Sequence, residues 1–176
     1  GTKVETFSVE LVEQNKDKIL YVDSLLRNYP SYEKGTLLTE SKELFSKDSL
    51  SVALPEGTNA VRLLSINIQV DSVHYEQAMR EQIIKMSFDG VETVTVPLSD
   101  FSGAGMGARK SDSWYVSADG KGHVLSRWVM PYQKNAVFKL VNLSSTTVKA
   151  DIEIRVDDWK WDERSLYFHS SWRQEN

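Results

Sequence analysis

Between Asp157 and His169 the sequence reads DDWKWDERSLYFH, a run that mixes flat aromatic rings with carboxylates and cations. A saccharide site uses this mixture, because rings stack on the apolar face of a furanose or pyranose while acids and Arg164 hydrogen-bond its hydroxyls. Asp162 and Glu163 are the candidate catalytic carboxylates: a pair of acids about 5 to 9 Å apart, depending on mechanism, can serve as proton donor and as nucleophile or base in glycoside hydrolysis. Asp158, Trp159, Trp161 and Arg164 are candidate substrate contacts, with His169 a candidate proton carrier. The plainer reading of the same run sets Trp159 and Trp161 one above the other along a strand, covering a sheet face, with Asp157, Asp158 and Glu163 in water.

A second candidate group is Asp100-Phe101, followed by Gly103, Gly105 and Gly107. Asp100 would orient sugar hydroxyls and Phe101 would add a ring. The three glycines lack the lysine and the following helix of a nucleotide loop, so they read as a pliable loop and not a phosphate cradle. Trp128, in Trp128-Val129-Met130-Pro131-Tyr132, completes the candidate substrate contacts. A single site requires the ends near Phe101 and near Trp161 to meet in space.

The elements that must position these residues have mostly period two. Ile84, Met86 and Phe88 alternate up to Asp89-Gly90, a pair suited to a tight hairpin turn, and Val94, Val96 and Leu98 resume beyond it. Leu50 to Leu54, Val61 to Val70, Ala136 to Leu140 and Val148 to Val156 repeat the pattern. Thr36 to Phe45 is a weak strand or connector. Phe7, Val9 and Leu11 give a first strand, Asp112 to Val116 and His123 to Met130 two more, and Pro131 breaks the last of these. Asp71 to Glu81 is an insertion or short helix. One helix stands out, about 15–29, with Asn15 as N-cap, Ile19, Val22, Leu26 and Tyr29 on one face, and Pro30 as terminator. Many short strands with turn residues between them predict an all-β, antiparallel, jelly-roll-like β-sandwich with one N-terminal helix, a single domain over residues 1–176.

Composition narrows the function. The chain has 176 residues, a net charge of -4 and no basic block, which argues against nucleic acid as a partner. No run is long and apolar enough to span a bilayer, so no membrane partner is expected. With no cysteine, a disulfide framework, a thiolate nucleophile and a thiolate-bound zinc are excluded. His74, His123 and His169 lack metal-ligand spacing, and neither metal nor cofactor is expected. No serine lies in a nucleophile elbow. Asn142-Leu143-Ser144 matches a glycosylation sequon.

Several motifs together resemble a known family. They are Phe88-Asp89-Gly90; Val96-Pro97-Leu98-Ser99-Asp100-Phe101 with Gly103; Trp128 to Tyr132; and Trp159 to Arg173. This set resembles a bacterial domain of unknown function, family 2961, related to glycoside hydrolase family 172 of the difructose dianhydride and α-fructofuranosidase type. The resemblance implies jelly-roll sandwiches, an exo-acting retaining mechanism on furanosides run by two glutamates, and oligomers in which neighbouring chains complete the pocket. It also implies a periplasmic or extracellular setting and a C-terminal piece of a longer protein. Family members often read Ile-Glu-Asn where this chain reads Leu140-Val141-Asn142, so Val141 replaces a glutamate. Two functions are therefore expected: a carbohydrate-active domain resembling furanoside hydrolases, or a non-catalytic sandwich that binds carbohydrate or completes a partner domain or subunit.

Overall fold

The computed structural model describes residues 6–28, 32–105 and 109–173. Contacts divide the chain into two compact units, Gly1–Ser31 and Tyr32–Asn176. The first unit contains helices α1 (Val9–Gln14) and α2 (Lys16–Arg27). The expected strand at Phe7 to Leu11 is thus a helix. Its alternation covers only five residues, and the Ser8 hydroxyl accepts the Leu11 N–H at 3.2 Å, the bond of an N-cap. Asn15 occupies the N-cap position of α2, yet its side chain makes no cap bond there; it donates back to the Leu11 carbonyl at 2.9 Å. Tyr29 and Pro30 lie outside the described residues.

The second unit is the sandwich. Its strands are β1 (Thr36–Leu44), β2 (Ser49–Ala53), β3 (Asn59–Gln69), β4 (Gln82–Phe88), β5 (Val91–Pro97), β6 (Ser111–Asp112), β7 (Val116–Ala118), β8 (His123–Ser126), β9 (Met130–Tyr132), β10 (Ala136–Asn142), β11 (Val148–Asp158) and β12 (Ser170–Ser171). Two short helices, α3 (Tyr75–Glu81) and α4 (Leu98–Phe101), flank the β4–β5 hairpin in sequence. One sheet has the order β1-β11-β3-β8-β7-β6, with β9 also on β3; the other has β12-β5-β4-β10-β2. Setting aside the short β6, β7, β9 and β12, the strands run first-eighth-third-sixth in one sheet and second-seventh-fourth-fifth in the other. That is the jelly-roll order, and all its pairings are antiparallel. Among the described strands only β12, against β5, is parallel.

The core follows from the alternation. Val148, Ala150, Ile152, Ile154 and Val156 of β11 face Leu50, Val52, Ile84, Met86, Phe88, Phe138 and Leu140 of the opposite sheet, all buried. β1 looked weak in the sequence because it is an exposed edge. Glu40 and Lys42 pair with Ile152 and Ala150 on the inward face, but overhang the core and remain in water.

Two predicted strands are interrupted. Asp112 to Val116 contains a turn, since Ser113 binds Val116 through both its backbone N–H and its hydroxyl. His123 to Met130 breaks at residues 127–129, and Pro131 does not end a strand but sits inside β9, opposite Ala60. Among the described residues no helix is long and apolar enough to cross a membrane.

The pairings also define two ends. At one, the Asp89–Gly90 turn, with φ of 52° and 84°, lies beside Asn135, just before β10. At the other, Asn142 at the end of β10 pairs with Gln82, and the neighbouring Ile83 pairs with Pro97. The seven residues of β5 separate the two ends by about 20 Å.

Candidate functional site

The groove richest in chemistry begins with a fault in a strand. β3 and β11 pair regularly from Gln69 down to Leu63 against Arg155, then resume with Val61 against Val156, leaving Arg62 as the extra residue of a β-bulge. A bulge re-aims a side chain, and here it sets the Arg62 guanidinium 4.9 Å from the centre of the Trp159 ring. Arg62 also donates to the Asp158 carbonyl at 3.4 Å. Arg62, Trp159, Lys160, Asp162, Arg164 and Ser165 line an open groove of about 560 Å³.

Trp159 is fixed from three sides. Its backbone N–H reaches the Thr58 carbonyl at 3.2 Å, its indole N–H the Ser165 hydroxyl at 3.0 Å, and its face lies beneath Arg62. Asp162 to Ser165 form a tight turn in which the Asp162 carboxylate accepts the Arg164 backbone N–H at 2.9 Å and its guanidinium at 2.7 Å. The Arg164 side chain, then its backbone N–H, hold the Asp162 carboxyl below the usual carboxylate range. Asp162 is therefore an ionised turn-former, the opposite of the raised pKa a proton donor needs near neutral pH.

A second junction at the same end was not singled out from the sequence. The Asp89 carboxylate accepts the backbone N–H groups of Gln133, Lys134 and Asn135 at 3.0, 2.7 and 3.0 Å. It also accepts the Tyr167 hydroxyl at 2.6 Å, and Gln133 in turn donates to that hydroxyl at 3.0 Å. Desolvation pushes Asp89 up, but the Tyr167 hydroxyl and the three amides outweigh it and leave the group below its ordinary value of 3.8. The same bond pushes the Tyr167 phenol up. This junction ties the C-terminal segment to the β4–β5 turn, and Trp161 packs on the Tyr167 ring at 4.9 Å.

The predicted site residues therefore divide. Trp159, Asp162 and Arg164 share the groove, and Asp158 and Glu163 are exposed beside them in sequence, Asp158 at the end of β11 and Glu163 within the turn. Trp161 belongs to the Tyr167 contact, not to the groove lining, and since β11 ends at Asp158 the two tryptophans do not stack along a strand. Trp128 lies flat on Tyr115, ring centres 3.9 Å apart and planes 6° apart, with Phe168 at 5.7 Å. Both rings of the flat pair are partly exposed, Trp128 by 36% and Tyr115 by 44%. His169 is exposed just before β12. Asp100 and Phe101 are in α4, directly after Pro97 and so at the opposite end of the sandwich; Phe101 is buried in the core and Asp100 faces water. The expected meeting of Phe101 with Trp161 does not occur, because the hairpin that carries Asp100 points its turn, not its α4 end, towards the tryptophan segment.

Arg62 was missed although the sequence signals it: Val61 and Leu64 are both buried but three residues apart, a slipped beat in an otherwise two-residue period. The sequon reading also fails on geometry. Asn142 is fully buried, donates to the carbonyls of Leu44 and Thr146 at 2.9 Å each, and accepts from Gln82 at 2.7 Å and the Ser144 hydroxyl at 2.6 Å. Its amide is a structural hub with no exposed nitrogen to modify. Among the described residues no group of three or more histidine or acidic side chains is placed to hold a metal ion.

Compared with known families, residues 36–155 match the family described as GH172 domain-like. No curated protein matches the chain. The matched span includes the jelly roll and Arg62, and stops before Trp159, Asp162 and Arg164.

Proposed function

The chain belongs to the GH172 domain-like family, a glycoside-hydrolase-related, carbohydrate-active class, and from that premise we propose that it binds saccharide at the Trp159 groove without cleaving a glycosidic bond by itself. One observation carries this reading: among the described residues a single carboxylate, Asp162, lines the groove, and that carboxylate is held ionised by Arg164. Hydrolysis by either stereochemical route calls for two carboxyl groups facing one bond, one of them protonated. Asp100 stands at the far end of the sandwich, and Val141 replaces the glutamate that the family resemblance implies. Polar groups around a ring remain, which is the chemistry of a lectin-like contact.

The test is a pair of measurements on the whole chain. Titration with an arabinofuranose or fructofuranose oligosaccharide should move the Trp159 indole N–H resonance, and Trp159→Ala should abolish binding. Aryl α-furanosides should release no phenol. Turnover by the wild-type chain that disappears in Glu163→Gln would overturn the proposal.

The family match favours a second reading, glycoside hydrolysis; in it the chain would be an exo-acting furanoside hydrolase, as the motif resemblance implies, with Glu163 as acid/base, Asp162 as its partner carboxylate and the pocket completed by a second copy or by a preceding domain. Asp158, Trp161, His169 and Trp128 would then contact substrate from the surrounding surface. Under either reading the expected setting is the periplasm or the outside of a bacterial cell, as the family resemblance implies.

A further inference from the structure

Charge is distributed unevenly over this molecule. The chain has a net charge of -4, yet among the described residues the groove is lined by three cationic side chains, Arg62, Lys160 and Arg164, against one carboxylate. Asp162 already neutralises one edge of Arg164. Arg62 forms no ion pair among the described residues; its polar contact is the Asp158 carbonyl at 3.4 Å, and its flat face is spent on Trp159. Lys160 is exposed, two residues from Asp162. The carboxylates bordering the groove in sequence, Asp157, Asp158 and Glu163, are not among its lining residues.

The ring geometry points the same way. A neutral sugar site offers an open aromatic face to the C–H groups of the sugar, but here a guanidinium covers a face of Trp159. A stacked, pre-oriented guanidinium presents its N–H edge, and that edge suits a planar or tetrahedral anion. We propose that the groove selects acidic saccharides, in which a carboxylate or phosphate on the sugar is held between Arg62 and Lys160. This inference rests on the saccharide-binding reading above and names its substrate class.

The experiment is calorimetric titration of the full chain with four probes: a neutral arabinofuranose oligosaccharide, a uronic-acid oligosaccharide of the same length, a sugar phosphate, and inorganic phosphate. Each is measured at low and at high salt. One acidic sugar should bind about tenfold tighter than the neutral one, the weight of a charge-assisted hydrogen bond, and high salt should erase the difference. Which of the two is favoured, uronate or phosphate, identifies the anion. Lys160→Gln, an exposed change that leaves the fold intact, and Arg62→Gln should each reduce the acidic sugar to the affinity of the neutral one. Equal affinity for neutral and acidic sugars would overturn the inference and leave saccharide binding standing. Binding of neither overturns both readings, and inorganic phosphate binding as tightly as the sugars would show anion capture without saccharide recognition, which also overturns it.

Discussion

Strand β10 connects two very different ends of one sandwich. Just before it, Asn135 donates to a carboxylate, Asp89, that also gathers two further backbone amides and a tyrosine hydroxyl near the surface. At its last residue, Asn142 gathers the Leu44 and Thr146 carbonyls, Gln82 and Ser144 in full burial. Both junctions sew loops together with one side chain. The buried one is neutral and the exposed one charged, as desolvation requires: an amide satisfied on both its donor and acceptor sides costs little to bury, whereas a carboxylate is retained where water and several N–H groups can share its charge. The charged end is also the end with the groove, and the neutral end carries α4.

The largest effect is expected at the buried junction. Asn142→Ala removes the acceptor of the buried Gln82 amide and of the Ser144 backbone N–H, and a donor to each of the Leu44 and Thr146 carbonyls, and should lower the unfolding free energy by about 3 kcal/mol or more in denaturant titration. A loss no greater than that of an ordinary surface substitution would remove the contrast between the two ends.

A smaller loss is expected at Asp89, with a pH signature that Asn142 lacks. Its folded pKa is depressed below 3.8, so its contribution is present above that value and fades as pH falls through the folded pKa. Asp89→Asn keeps one accepting oxygen and should cost about 1 kcal/mol at pH 7, allowing for solvent screening at a partly exposed site. Melting temperatures of the two proteins should converge as pH drops below 3.8. Parallel curves down to pH 2 would contradict the hydrogen-bonded carboxylate.

The smallest stability change belongs to the groove. Asp162→Asn keeps an oxygen acceptor in the turn and removes an exposed ion pair, so the melting temperature should barely move. Removing that charge should instead tighten the acidic sugar, because Arg164 is released from its partner. A large melting shift with no change in affinity would make the turn structural and the groove incidental.

Much of the scaffold was legible beforehand. The strict alternation of β11, the Asp89-Gly90 hairpin and the regular spacing of short strands identified a jelly roll, because burying one sheet face enforces period two. Where alternation ran for only five residues, at Phe7 to Leu11, a local cap bond from Ser8 prevailed and formed a helix. Within the candidate site, Trp159, Asp162 and Arg164 were recognisable by residue type, whereas the pairing of Asp162 with the arginine two residues on was not read from the sequence.

Residue pattern alone settled the all-β class, the strands of the core and the aromatic–acidic composition of the C-terminal segment, all of which depend on neighbours a few positions apart. Tertiary structure alone decided that Asp100 and Trp161 stand at opposite ends, that a bulge lays Arg62 over Trp159, and that Asp89 clasps Tyr167 across 78 positions. Strand order and register bring these groups together or hold them apart, and a two-residue repeat reads the same whichever strand lies beside it.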